Sequence, residues 1–157
     1  EGLVLRAFEL GWTRGVIKDY VKSRKHNPEA FLFSKSNPLG TALATFVSQQ
    51  LQPWGGLVAR EWTDIAVDPA TDTQQEYRFF VVDQKIVSAG AYWLAASSEL
   101  TDGAMALANS VAAQLPEHGM FSLDVARLTN GEYVVVELGD AQVSGLQQCP
   151  DWLHALV

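Results

Sequence analysis

The sequence has one cysteine, Cys149, among 157 residues. A single thiol excludes an internal disulfide framework and any cysteine-based zinc site. Positive charge is also scarce: 11 Lys and Arg stand against 18 Asp and Glu, a formal charge of −7. Proteins that grip nucleic acid by its phosphates carry the opposite balance, so general DNA or RNA binding is disfavoured. No apolar run reaches the roughly 18 residues of a membrane helix, and no basic region precedes an apolar stretch at the start, so no secretory signal is visible. The chain reads as intracellular and cytoplasmic. It opens on Glu1, not Met, which suggests a chain processed or cut from something longer. Internal repeats, low-complexity tracts, a P-loop, a Gly-x-Gly-x-x-Gly turn and a Gly-x-Ser-x-Gly elbow are all absent. His26, His118 and His154 stand alone, at no metal-ligand spacing.

What is present is apolar. Hydrophobic residues make up 48% and charged residues 18%, too apolar and too weakly charged for disorder. Gly15–Lys22 alternates as a strand, with Val16, Lys18, Tyr20 and Lys22 on one face. Ala30–Phe33 is a short second strand. Asn37-Pro38 starts a helix, with Asn37 as N-cap and Leu39, Leu43, Phe46, Val47 and Leu51 at helical spacing. Leu57–Trp62 reads as a connecting strand and Asp64–Gln75 as a polar surface loop. Strands Glu76–Val82 and Lys85–Tyr92 meet at Asp83-Gln84. A helix over about Thr101–Leu115 presents Leu100, Ala104, Leu107, Ala108, Val111 and Leu115. Phe121–Leu128 and Glu132–Leu138 form a hairpin, and Pro150–Val157 a short helical turn. Tight turns between strand pairs predict an α+β fold with antiparallel sheet.

Asn130-Gly131 is a strong signal for a two-residue type I′ turn. Such a turn would place Asp124 directly opposite Glu137, on a face shared with Ala126, Tyr133 and Val135. Opposed like charges on a sheet are destabilising, so the pair calls for a cation, a shared proton or open solvent. Mg²⁺ favours such oxygen ligands and completes its shell with water and phosphates. Asp140 lies three residues beyond Glu137 and could join them. Lys18, Lys22, Arg60 and Arg78 are cations embedded in strand candidates. They fit either ordinary surface pairing or phosphate neutralisation. The tryptophans fit a core better than ligand stacking, although Trp62 and Trp93 lie near the candidate site.

The order VIKDYVKS, helix, LVAREW, EYRFFVVDQKIV, helix, LDVARLTNGEYVVVELGD resembles the C-terminal part of the ATP-grasp fold. More narrowly, it resembles the ATP-grasp clade whose signature is two arginines and one lysine. The likeness runs from about Gly15 to Leu146, with VVVELGDAQVSGL its most specific stretch. It implies two small lobes, 1–60 and 61–157, with ATP between them and an upstream substrate domain missing or truncated. The adenine would lie against Leu57–Trp62, making Arg60, Glu61 and Trp62 contacts, with Lys18 and Lys22 toward the phosphates. Arg60 and Arg78 would face the phosphates or an acyl-phosphate as the catalytic pair. Asp124 and Glu137 would hold Mg²⁺, with Asp140 near the third position. The family's usual ending is Glu-x-Asn, whereas here Glu137 is followed by Leu138, Gly139 and Asp140.

The implied activity is an ATP- and Mg²⁺-dependent ligase. It would activate a carboxylate as an acyl-phosphate for attack by an amine, on small molecules or peptides. The alternative is a non-catalytic nucleotide-binding or interaction module that keeps the fold. An exposed edge strand would favour a homo-oligomer. No membrane partner is expected.

Overall fold

The structure, a computed structural model, describes residues 9–19, 32–49, 56–93, 99–115 and 119–146. The chain divides into two compact units, Glu1–Thr63 and Asp64–Val157. Among the described residues no helix is long and apolar enough to cross a membrane. The expected turn at Pro150–Val157, Lys22, Cys149 and the three histidines lie outside the described residues.

The first unit holds a three-stranded antiparallel sheet, order β2-β1-β3, formed by β1 (Gly15–Asp19), β2 (Leu32–Phe33) and β3 (Leu57–Glu61). Helix α1 (Leu39–Gln49) buries Leu39, Ala42 and Phe46 against Ile17 and Phe33. The expected stripe differs at Val47, which is 51% exposed, and Ala42 takes the inner position instead. The helix start is also one residue later than expected. The Pro38 carbonyl accepts from the Thr41 and Ala42 amides, while the Asn37 side chain donates to the Leu32 carbonyl. Asn37 therefore ties α1 back to β2.

The second unit is built on a four-stranded antiparallel sheet, order β7-β6-β8-β9. Its strands are β6 (Glu76–Val82), β7 (Lys85–Ala91), β8 (Met120–Arg127) and β9 (Tyr133–Gly139). Before them, β4 (Val67–Asp68) and β5 (Thr73–Gln74) form a small ladder where the sequence predicts only loop. Asp68 makes that turn: its carboxylate accepts from the Ala70 amide and its carbonyl from Asp72. Such local bonds let a polar segment pair without an apolar face.

Period two sends Tyr77, Phe79, Val81, Phe121, Leu123 and Val125 to one face, under α2 (Asp102–Gln114). The contact stripe of α2 is small, Ala104, Ala108 and Ala112, all fully buried, which lets the helix approach the sheet closely. Leu100, expected in that stripe, is 37% exposed because it precedes the cap. Thr101 is the N-cap: its hydroxyl accepts from the Ala104 amide and donates to the Tyr133 hydroxyl. The opposite face of β6 and β8 carries Arg78, Phe80, Ser122 and Asp124. It is also mostly buried, because Ala141 packs on Phe80.

The β8–β9 turn corrects the expected type I′. Arg127 pairs with Tyr133, Leu128 N–H donates to the Glu132 carbonyl, and Gly131 N–H donates to the Leu128 carbonyl. Only Gly131 of this turn has positive φ, at 90°, so the connection is a three-residue turn and not Asn130-Gly131 alone. The reason is tertiary. Thr129 N–H, which a two-residue turn would return to Glu132, donates to the Asp64 carbonyl, and Leu128 bridges Ile65.

Candidate functional site

Register alone would now separate the two acids. Val125 pairs with Val135, and a regular ladder would put Val136 opposite Asp124. A β-bulge inserts Val136 as an extra residue, and beyond it Asp124 faces Glu137. The expected pairing is therefore present, reached by a different turn and a compensating bulge. The expected companions are not on that face. Val135 and Tyr133 pack with Val125 in the helix-covered core, because the bulge switches sides between Val135 and Glu137.

β6 completes the row. Arg78 is the cross-strand partner of Asp124, so Arg78, Asp124 and Glu137 lie side by side across three strands. Arg78 Nε donates to Asp124 Oδ1 at 2.8 Å and Nη2 to Oδ2 at 2.7 Å. This bidentate fork is the geometry that favours Arg over Lys for a carboxylate. Nη1 donates to the Gly145 carbonyl at 3.0 Å, and the guanidinium lies 4.6 Å from the Tyr92 ring centroid. Arg78 is 7% exposed and Asp124 2%, whereas Glu137 is exposed. Burial by itself would lower the Arg78 pKa; the bonds and charge of Asp124, with Tyr92 and Glu137 adding, outweigh it and hold Arg78 above its ordinary value. The cation required by two opposed carboxylates is thus Arg78. By sequence alone Arg78 is a candidate phosphate ligand. The pairing of β6 with β8, which no local signal supplies, is what reveals the row.

Asp140 ends β9 and forms a local turn: its Oδ1 accepts from the Gln142 amide and its carbonyl from the Val143 amide. Among the described residues no group of three or more His, Cys, Asp and Glu side chains is placed to hold a metal ion. The donor set that does converge is two carboxylates. That suits Mg²⁺, which is commonly held by one or two protein carboxylates with substrate phosphates and water completing the shell. Two bonds from Arg78 also leave lone pairs on Asp124, since a carboxylate offers about four.

In the first unit, Val16 pairs with Arg60 and Lys18 with Val58. Lys18 and Arg60 therefore share one face of the β1–β3 ladder, Arg60 exposed and Lys18 half-buried. Glu61 pairs with Gly15, one residue out of phase, and so belongs to the other face. Trp62 N–H donates to the Arg14 carbonyl, and the Arg14 guanidinium sits 4.6 Å from the Trp62 ring centroid. That cation–π contact engages the indole that the sequence resemblance assigns to a nucleotide.

The model of the ATP-grasp domain, family 3 of the two-arginine, one-lysine clade, matches residues 9–156. The chain belongs to that family. No curated protein matches this ATP-grasp chain by sequence. Solved ATP-grasp structures share its fold. The ligase PsnB, complexed with a minimal precursor, Mg and ADP, superposes with a TM-score of 0.54 at 14% identity, over 88% of this chain and 41% of PsnB. D-cycloserine synthetase DcsG gives 0.55 at 14% identity, over 97% of this chain and 57% of DcsG. Macrocyclase MdnC from Microcystis aeruginosa MRC, bound with precursor peptide MdnA, gives 0.50 at 11% identity, over 96% of this chain and 47% of MdnC. The ATP-grasp chain thus spans about two-fifths of the length of PsnB.

Proposed function

We propose that this ATP-grasp chain is an ATP- and Mg²⁺-dependent ligase unit that activates a carboxylate as an acyl-phosphate for attack by an amine. The observation that carries the reading is the Arg78–Asp124–Glu137 row, a metal-compatible pair of carboxylates with its own buried counter-charge, in a chain of the ATP-grasp family.

Asp124 and Glu137 are the residues that would hold Mg²⁺. When bound, the ion neutralises phosphate oxygens and aligns the γ-phosphate for transfer. Lys18 and Arg60, on one sheet face, supply positive charge to the phosphates: Lys18 as a point charge, Arg60 as a planar clamp. Transfer of the γ-phosphoryl group to a substrate carboxylate breaks the terminal P–O bond and releases ADP. Amine attack on the acyl carbon then expels phosphate and leaves an amide. Both steps depend on positioning and charge stabilisation, so no protein nucleophile is required. The precursor peptides of PsnB and MdnC make a peptide the substrate class to screen first.

One observation favours the alternative of a nucleotide-binding or interaction module without turnover: both Asp124 oxygens are already engaged by Arg78. Calorimetric titration of ATP into the chain, with Mg²⁺ and then with EDTA, tests the reading. Binding is expected with Mg²⁺ and loss by tenfold or more with EDTA. Glu137→Gln should reproduce the EDTA result while slightly raising stability, because it removes one of two opposed charges. Unchanged Mg²⁺-dependent affinity in that variant would remove Glu137 from the metal. Metal-dependent binding without phosphate release from any peptide or amine tested would favour the module.

A further inference from the structure

Arg78 links the acidic row to the chain segment that follows it. Besides its fork onto Asp124, it donates from Nη1 to the Gly145 carbonyl. A planar group bonded along both edges and covered on one face by Tyr92 has one orientation open to it. Gly145 ends the turn that begins at Asp140, and this turn is tied a second time. Ser144 Oγ donates to the Asp140 carbonyl at 2.8 Å, which uses its only proton. The 2.6 Å bond between Ser122 and Ser144 is therefore donated by Ser122. Ser122 and Asp124 lie two residues apart on the same face of β8. Between the ties, Ala141 is buried against Phe80. Gly139 is required beside them: a Cβ there would stand 2.7 Å from Ser122 Oγ and 3.3 Å from Ser144 Oγ, wedging the second tie open.

We infer that Arg78 is a positioning residue, acting as a clasp that aims the Asp124 carboxylate and holds the Asp140–Gly145 turn over the same sheet face. It does not bind phosphate itself. Any effect of Arg78 on nucleotide passes through Asp124 and the metal. This deepens the proposed ligase site and rests on that reading for its nucleotide half; the clasp itself is a property of the free chain.

Two measurements on the full chain test it. The first needs no ligand. Amide hydrogen exchange of Gln142 and Val143 should quicken at least tenfold in Arg78→Lys, which keeps the charge but loses the fork. Ser144→Ala, which breaks only the second tie, should also quicken it. Exchange across α2 should stay unchanged in both, showing that the fold is intact. Unchanged rates at 140–145 in both variants would overturn the clasp.

The second uses the nucleotide analogue AMPPNP. Arg78→Lys should raise the Mg²⁺ concentration for half-saturation at least tenfold and leave affinity in EDTA unaltered. Combined with Asp124→Asn, it should add no further loss, because both substitutions disable the same carboxylate. Equal losses with Mg²⁺ and with EDTA, or additive losses in the double variant, would put Arg78 on the phosphates and overturn the positioning role. If the unaltered chain binds no AMPPNP in Mg²⁺, the ligase reading fails, and hydrogen exchange alone then decides the clasp.

Discussion

In the β6–β7 hairpin, Asp83 and Gln84 take φ of 45° and 66°, whereas in the β8–β9 turn only Gly131 takes positive φ. The first is a type I′ geometry without glycine; the second has the favoured Asn-Gly pair and adopts a three-residue turn instead. Each hairpin also carries one extra residue on its outer strand, Val87 in β7 and Val136 in β9, while the central β6–β8 ladder is regular. The contrast comes from what lies next to each turn. Asp83 N–H donates to the Gly119 carbonyl. The β8–β9 turn has Leu128 and Thr129 already bonded to Ile65 and Asp64. Outside partners at those backbone positions remove the option of a two-residue turn, and Asn130 instead braces the longer one, accepting from the Glu132 amide. The bulge at Val136 then restores the phase that places Glu137 beside Asp124. Bulges next to a site commonly re-aim a side chain in this way.

The largest test of this comparison is Asp124→Ala. It leaves the Arg78 guanidinium buried without its anion and should destabilise the second unit by about 3–5 kcal/mol in urea unfolding. The β7 side of the sheet carries no such pair at that row, since Gly90 stands opposite Arg78. Loss below about 1 kcal/mol would show that Arg78 finds other partners and that the two hairpins are energetically alike. The turns themselves give smaller effects of opposite sign. Gln84→Gly should stabilise by about 1 kcal/mol, because a residue with a Cβ is strained at positive φ. Gly131→Ala should cost about 1 kcal/mol for the same reason. Equal signs would contradict the different backbone states of the two turns.

The last test is pH, with direction only. Tyr77 on β6 is buried, and burial pushes its phenol above the usual 10.0, with Tyr133 of β9 adding and the Thr101 bond opposing. A folded pKa above the unfolded value stabilises fully below about pH 10 and loses that contribution as pH rises through the folded pKa. Unfolding midpoints of the second unit should therefore fall on the alkaline side, and Tyr77→Phe should flatten that fall. An unchanged alkaline slope in Tyr77→Phe would remove this phenol as its source.

Periodicity and turn residues in the sequence alone set the kind of each element. The alternation of EYRFFVV makes a strand, and the spacing of Ala104 and Ala108 makes a helix with one inner face. They also point to the ATP-grasp family, through the order of strands that carry Lys18, Arg60, Arg78, Asp124 and Glu137. Those signals are local, and local geometry repeats every 2 or 3.6 residues whatever surrounds it. Pairings between distant strands have no such period. The fork from Arg78 to Asp124 spans 46 positions, and the tie to Gly145 spans 67. Only the tertiary structure decided them. The same holds for Val47 at the surface, for the turn diverted by Asp64, and for the bulge that brings Glu137 into the row. In each case a bond or contact from a distant segment outweighs a local preference worth about 1 kcal/mol or less.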